Sequence, residues 1–163
     1  GSTVIDVCSV KIRPIELMEK LLPPTVNIIA THPLFGPQSI SDRDNLNIVV
    51  IEVRGDTKQL ESVFVSIGWK IKKVSADEHD KQMAAVQGLT FFISQALIEM
   101  NIDEPDLPTG SYKLLKQLNE IQSAHTKDLT NTIEGYNPYA DKIRRQFIDK
   151  AIEIDKAFLE IDQ

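Results

Sequence analysis

Apolar and polar positions follow two different rhythms along this chain, and the change falls near Val74. Up to there, short apolar runs alternate with short amphipathic stretches. Thr3 to Val7 (TVIDV), Val26 to Thr31 (VNIIAT), Leu46 to Val53 (LNIVVIEV) and Trp69 to Val74 (WKIKKV) predict four strands. The third is almost continuously apolar, as a strand covered on both faces should be. Between the first two runs, PIELMEKLL begins with Pro14, suited to a helix first turn, and sets Ile15, Met18 and Leu22 on one face. Leu60, Val63, Phe64 and Ile67 make a second helical stripe. Asp56 opens it, with Gln59 three residues on as in a capping box, and Gly68 closes it. Strand–helix alternation of this kind predicts a largely parallel sheet.

After Val74 the strand pattern stops. His79 to Met100 reads as one long helix, with Met83, Val86, Thr90, Ile93, Leu97 and Met100 at helical spacing. The stretch EPDLPTGS breaks it, and a shorter helix carries Leu115, Leu118 and Ile121. A last helix is expected from Asn137-Pro138, an N-cap followed by a proline in the first turn. Its stripe of Phe147, Ala151, Ile154, Phe158 and Ile161 steps by 4, 3, 4 and 3, and needs a partner within the domain or across a dimer. The expected division is residues 1–75 as the αβ part and 76–163 as the helical part.

Composition narrows the function. The 163 residues suit one ordinary domain or two small ones, and 42% hydrophobic with 26% charged residues is the balance of a soluble globular protein. A net charge of −6 argues against nucleic acid and anionic membranes as partners, because both reward a basic face. The single cysteine, Cys8, rules out an internal disulfide framework and a multi-cysteine zinc site, and fits a reducing cytoplasm. It reads as a small core side chain. Three isolated histidines show no metal-ligand spacing. No apolar run approaches the roughly 20 residues that span a bilayer, and no signal-peptide pattern opens the chain.

One absence matters for chemistry. No G-x-G-x-x-G turn, the usual pyrophosphate cradle of a parallel αβ half, occurs in the sequence. The first half therefore reads as the end of a larger domain. Such sheets bind ligands at the carboxyl ends of their strands. There the chain places Ser9, in DVCSVK, and His32, in ATHPLFGP. If the two strands are neighbours, the Ser9 hydroxyl reaches one nitrogen of His32 and leaves the other free to accept a proton. The plainer alternative is a serine and a histidine that satisfy loop backbone groups. Pro33, Gly36 and Pro37 stiffen the loop, which suits a ring that needs fixed geometry. Asp80 reads as a cap in a helix first turn, Gln87 as a mid-helix amide bonded between helices or to a ligand, and His125 as a solvent-exposed loop residue.

These stretches carry a resemblance. DVCSVK, THPLFGPQS, EHDKQMAAVQGLTFF and TGSYKLLKQL resemble, in order and spacing, the prephenate and arogenate dehydrogenases of tyrosine biosynthesis. The plant-like arogenate branch looks closest, and the resemblance runs from Thr3 to about Phe147. It implies the later part of a Rossmann-type nucleotide-binding sheet followed by a helical dimerisation domain. It further implies an oxidoreductase that uses NADP or NAD to remove a hydride and carbon dioxide from a small-molecule cyclohexadienol, working as a homodimer. His32 matches the family's catalytic histidine, Ser9 the serine that bonds it and the substrate, and His79-Asp80 the family's His-Asp pair. Ser9 and Pro33 become the expected cofactor neighbours. Gly36, Lys11, Gln87 and Lys113 become candidates for substrate binding, the lysines for its carboxylates. Two departures stand out. Phe91 occupies a position that is histidine in many members, and no arginine lies near Ile121, as in the plant-like branch. A different Rossmann-plus-helical hydroxy-acid dehydrogenase and a non-catalytic dimerisation or regulatory module are the rival readings.

Overall fold

The computed structural model describes residues 1–36 and 46–161, and the chain divides into two compact units, Gly1–Lys81 and Gln82–Gln163. In the first unit the order is β1 (Thr3–Asp6), α1 (Ile12–Leu21), β2 (Asn27–Pro33), β3 (Asn47–Arg54), α2 (Lys58–Ser66), β4 (Lys70–Lys72) and α3 (Ala76–Met83). The four predicted strands form one sheet in the order β1-β2-β3-β4. β1 pairs parallel to β2, with Asp6 opposite Ala30, and β3 pairs parallel to β4.

The middle pairing corrects the expectation of uniform direction, because β2 and β3 run antiparallel, with His32 opposite Val49. The reason is local. A parallel neighbour requires a crossover, usually a helix, and the connection after β2 opens with Pro33 and Gly36, which do not favour one. Pro37, Gln38 and Ser39 of the same motif lie outside the described residues.

Strand alternation sorts the core into two faces. Ile29, Ile48 and Val50 point one way and pack against Leu60, Phe64, Trp69 and Ile71, the α2 and β4 side. Ala30, Val49 and Ile51 point the other way and meet Ile15 of α1 and Val74 and Ala76 at the start of α3. Since side chains two apart share a face, His32 rises on the side of Ala30, toward α1 and α3. Thr57, and not Asp56, takes the N-cap position of α2, which corrects the expected Asp56–Gln59 box; Asp56 instead accepts the Lys58 amide at 2.9 Å from one residue further out. Cys8, expected in the core, is exposed in the loop after β1.

The second unit is helical. A single π-helical turn (Ala84–Gly88) leads into α4 (Leu89–Glu99), followed by α5 (Gly110–Ser123), α6 (Lys127–Tyr136) and α7 (Ala140–Leu159). Helix therefore begins at Ala76 and not at His79, with the Ser75 hydroxyl accepting the Glu78 amide at 3.1 Å. Asp80 consequently lies beyond the first turn, which corrects its reading as a cap of its own helix. α6 was not foreseen; Thr126 caps it through the Leu129 amide, and Ile133 is its one buried side chain. Before α7, Asn137 accepts the Tyr139 amide at 2.9 Å.

Gly55 turns the chain after β3 at a φ of +99°, and a Cβ there would fall on the Asn27 side chain. Gly68 has a φ of +87° with open space around it. Gly55→Ala should destabilise the chain by about 1–3 kcal/mol and Gly68→Ala by about 1 kcal/mol. Urea denaturation monitored at Trp69 will compare them; equal losses would show that the Asn27 contact is immaterial.

Candidate active site

β1 and β2 are parallel and in register, so their carboxyl ends leave the sheet along one edge. The Thr31 hydroxyl donates to the Asp6 carbonyl at 2.7 Å and ties the two strand ends together. Behind that edge sits a buried ion pair. The Lys11 side chain is fully buried, and its Nζ donates to Asp6 Oδ1 at 2.5 Å and to the Thr31 carbonyl at 2.6 Å. Asp6 Oδ1 also accepts the Cys8 amide at 2.9 Å, which shapes the loop carrying Ser9. Burial holds the Lys11 ammonium below its ordinary value, with the neighbouring Asp6 carboxylate pulling the other way.

Asp80 joins α3 to α1. Its Oδ1 accepts the Lys11 amide at 2.8 Å and its Oδ2 the Ile12 amide at 2.9 Å, so it caps the start of a helix 68 positions earlier in the chain. Those amides have no partner within their own helix, and the positive end of the helix dipole favours a carboxylate. Oδ1 also lies 2.7 Å from His79 Nδ1, and His79 Nε2 lies 2.9 Å from His32 Nδ1. His79 and Asp80 are 1% and 0% exposed, and His32 is 5% exposed.

The tautomers follow from this order. A carboxylate only accepts, so His79 donates from Nδ1 and presents a lone pair at Nε2. His32 then donates from Nδ1, which leaves the lone pair on its own Nε2. Among the described residues no hydrogen bond reaches that nitrogen. A neutral imidazole thus stands at the sheet edge with one face of its chemistry spare, the arrangement of a general base.

The comparisons with known proteins concern the chain and its fold. Residues 1–47 match the family model described as prephenate dehydrogenase, nucleotide-binding domain. Arogenate dehydrogenase 2, chloroplastic, of Arabidopsis thaliana is 31% identical over 159 residues, covering 91% of this chain and 44% of that protein. Among solved structures, Synechocystis arogenate dehydrogenase aligns at a TM-score of 0.64 and 23% identity over 96% of this chain and 63% of the other. Prephenate dehydrogenase from A. aeolicus, solved with hydroxyphenyl propionate and NAD+, aligns at 0.71 and 18% identity, over 97% of this chain and 60% of that one. The chain is a relative of the prephenate and arogenate dehydrogenases. It spans less than half the length of the curated relatives it matches. The structural likeness establishes the fold, a Rossmann-type sheet with a helical part.

Within this dehydrogenase fold the expected residues fare differently. His32 and Ser9 share the sheet edge, but the bond expected between them is replaced: His32 Nδ1 faces His79, and no hydrogen bond joins Ser9 to the ring among the described residues. Lys11, expected to meet a substrate carboxylate, is corrected by burial, since its ammonium is spent on Asp6 and Thr31. Pro33 ends β2 opposite Ile48. Gly36 is exposed, and a Cβ there would meet nothing within 4 Å, so the space around it does not by itself demand glycine. Gln87 lies half-buried in the π-helical turn and Lys113 is exposed on α5, both in the second unit. In that unit Phe91 stacks on His125, ring centroids 5.2 Å apart. The sequence reading missed Asp6 and the coupling of His79 to His32; the His79-Asp80 dipeptide was visible, but its partner 47 positions away was not.

Burial, then the neighbouring His79 and Lys11, push the His32 imidazole down to about 3, with Asp80 acting the other way. Between that value and the ordinary 6.5 the unfolded chain carries a proton here that the folded chain lacks. Stability therefore rises with pH across this window and is fully present above it, with a slope of about 1.4 kcal/mol per pH unit. On going from about pH 7 to about pH 5, the chain should lose about 2 kcal/mol more stability than its His32→Asn variant. Urea denaturation at both pH values measures the difference, and equal losses would contradict the buried neutral ring.

Proposed function

We propose that this chain forms the base-bearing part of a dehydrogenase that oxidises and decarboxylates prephenate or arogenate. The observation that carries the reading is the spare Nε2 lone pair of His32, held at the ligand edge of a sheet like those of the dehydrogenases. The residues present fit the reacting end of a dinucleotide, where Ser9 and Pro33 flank His32, but the sequence contains no glycine cradle for its pyrophosphate. NADP or NAD, when bound beside Ser9 and Pro33, would supply the hydride acceptor for the carbinol carbon. His32 Nε2 takes the proton of the ring hydroxyl as that bond becomes a carbonyl, and loss of the ring carboxylate as carbon dioxide makes the product aromatic. Ser9 borders the same edge and orients the hydroxyl. The rigid strand end and the bonded ring fix the approach, which is where such a site gains most of its advantage.

In a full-length dehydrogenase carrying this chain, His32→Asn should lower kcat about 10²- to 10⁴-fold with a much smaller change in KM, since Asn hydrogen-bonds but takes no proton. Steady-state kinetics on arogenate, prephenate and a simple hydroxy acid, each with both cofactors, test this. Full turnover by the variant, or activity on the hydroxy acid alone, would overturn the reading.

The second unit carries the dimer part of the proposal. An apolar groove of about 480 Å³ runs along α7 between Phe147, Ala151, Ile154 and Phe158, and Phe158 is 64% exposed. The 4-3-4-3 spacing of this stripe suits a matching helix from a second copy. Light scattering should give twice the chain mass for the native sequence and a monomer for Ile154→Lys; a native monomer would refute the seam. The compartment is part of the same proposal: an exposed free thiol at Cys8 suits a reducing cytoplasm, although the Arabidopsis relative is named chloroplastic. No described helix is long and apolar enough to cross a membrane.

A further inference from the structure

We propose that His79 is a positioning residue that receives the proton collected by His32 and lodges it against the Asp80 carboxylate, a role that rests on His32 being the base. The three groups form one hydrogen-bonded line, with heavy-atom separations of 2.9 and 2.7 Å. The two rings cross at 68° with centroids 5.1 Å apart, an edge arrangement that lets an N–H of one ring point at a nitrogen of the other. Both inner groups are out of reach of water, at 1% and 0% exposure, so no solvent molecule competes for their bonds.

The charges around the line favour moving the proton inward. Among the described residues, the titratable groups bonded into or beside it are Lys11 and Asp6 from the β1–α1 segment, His32 from β2 and Asp80 from α3, and β3 places Val49 opposite His32. A cation on His32 is desolvated and feels the Lys11 ammonium. A cation on His79 lies 2.7 Å from a carboxylate oxygen. The step balances within the two rings. The substrate O–H bond breaks as a bond forms to His32 Nε2, and the Nδ1–H bond of His32 breaks as one forms at His79 Nε2. His32 ends neutral with its hydrogen on Nε2, and His79 ends as an imidazolium beside Asp80. As carbon dioxide leaves, its bonding pair turns the carbonyl oxygen into a phenolate, and the same two transfers run backward to return the proton from His32 Nε2 to that oxygen.

Nitrogen-15 histidine NMR of the 163-residue chain without substrate tests the line apart from any dehydrogenase activity. At about pH 7.5, His32 and His79 should both be neutral with hydrogen on Nδ1, while exposed His125 serves as the reference for the ordinary Nε2–H form. His79→Gln keeps an acceptor for His32 but cannot relay a proton, so His32 should stay Nδ1–H; His79→Phe should return it to the reference form. In the full-length enzyme, His79→Gln should lower kcat about tenfold or more with little change in KM, and the acid limb of its pH–rate profile should move to lower pH. A merely structural His79 would leave that limb in place. His32 found with hydrogen on Nε2, His79 found doubly protonated at neutral pH, or His79→Gln with native kcat and profile would each overturn the relay. Activity surviving in His32→Asn would instead remove the base, whatever the NMR shows.

Discussion

The first unit depends on how one buried carboxylate is shared. Asp80 has no exposed surface and accepts from the Lys11 amide, the Ile12 amide and the His79 ring. A charge in that position is tolerable only because each donor is itself fixed, two by the start of α1 and one by α3. The same bonds settle three things together: where α1 begins, how it lies against α3, and which nitrogen of His79 carries hydrogen. Removing the carboxylate would strand two helix-end amides and free a ring, so the geometry of His32 is coupled to the packing of two helices on one sheet face.

Lys11 and Asp6 act as a second, nearer brace. Their pair is buried behind the strand ends, and breaking such a pair from one side costs about 3–5 kcal/mol because the remaining charge is left without compensation. Its position matters more than its strength. Lys11 holds the Thr31 carbonyl, one residue before His32, while Asp6 holds the Cys8 amide, one residue before Ser9. One ion pair therefore sets the backbone of both strand ends that present the candidate chemistry.

How much of this was legible in the sequence differs by distance along the chain. All four strands follow from apolar runs, and α1, α2, α5 and α7 from stripes that any helix must bury or pair. Ser9 and His32 were found at one sheet edge because parallel strands end together. The antiparallel pairing of β2 with β3 was passed over although Pro33 and Gly36 were in view, since LNIVVIEV is apolar in both directions and its pattern carries no sense of direction. α6 escaped because it buries little beyond Ile133, so its stripe is too thin to stand out. Cys8 was misplaced inward because residue type outweighed its loop position. The pairing of His32 with His79 is the deepest miss: nothing local says that a ring after β2 will meet a ring on α3, and the serine nearby offered a simpler partner. Within α3 the signal was present, as Ser75 and Glu78 stand at capping-box spacing and set the helix phase that turns His79 and Asp80 inward.

The buried charges also decide where a proton entering the site is best held. Asp6 and Lys11 form a pair, whereas His79 Nδ1 faces the Asp80 carboxylate, so negative charge lies behind His79 and a cation, Lys11, lies near His32. Burial, with the neighbouring His79 and Lys11, pushes the His32 imidazole down to about 3, so that ring is a poor place for a lasting charge. In the proposed dehydrogenase, a base arranged this way would collect a proton from an alcohol without holding the charge at the substrate edge. That separation is useful where a hydride leaves the same carbon, because a cation against the forming carbonyl would oppose the departure of negative charge.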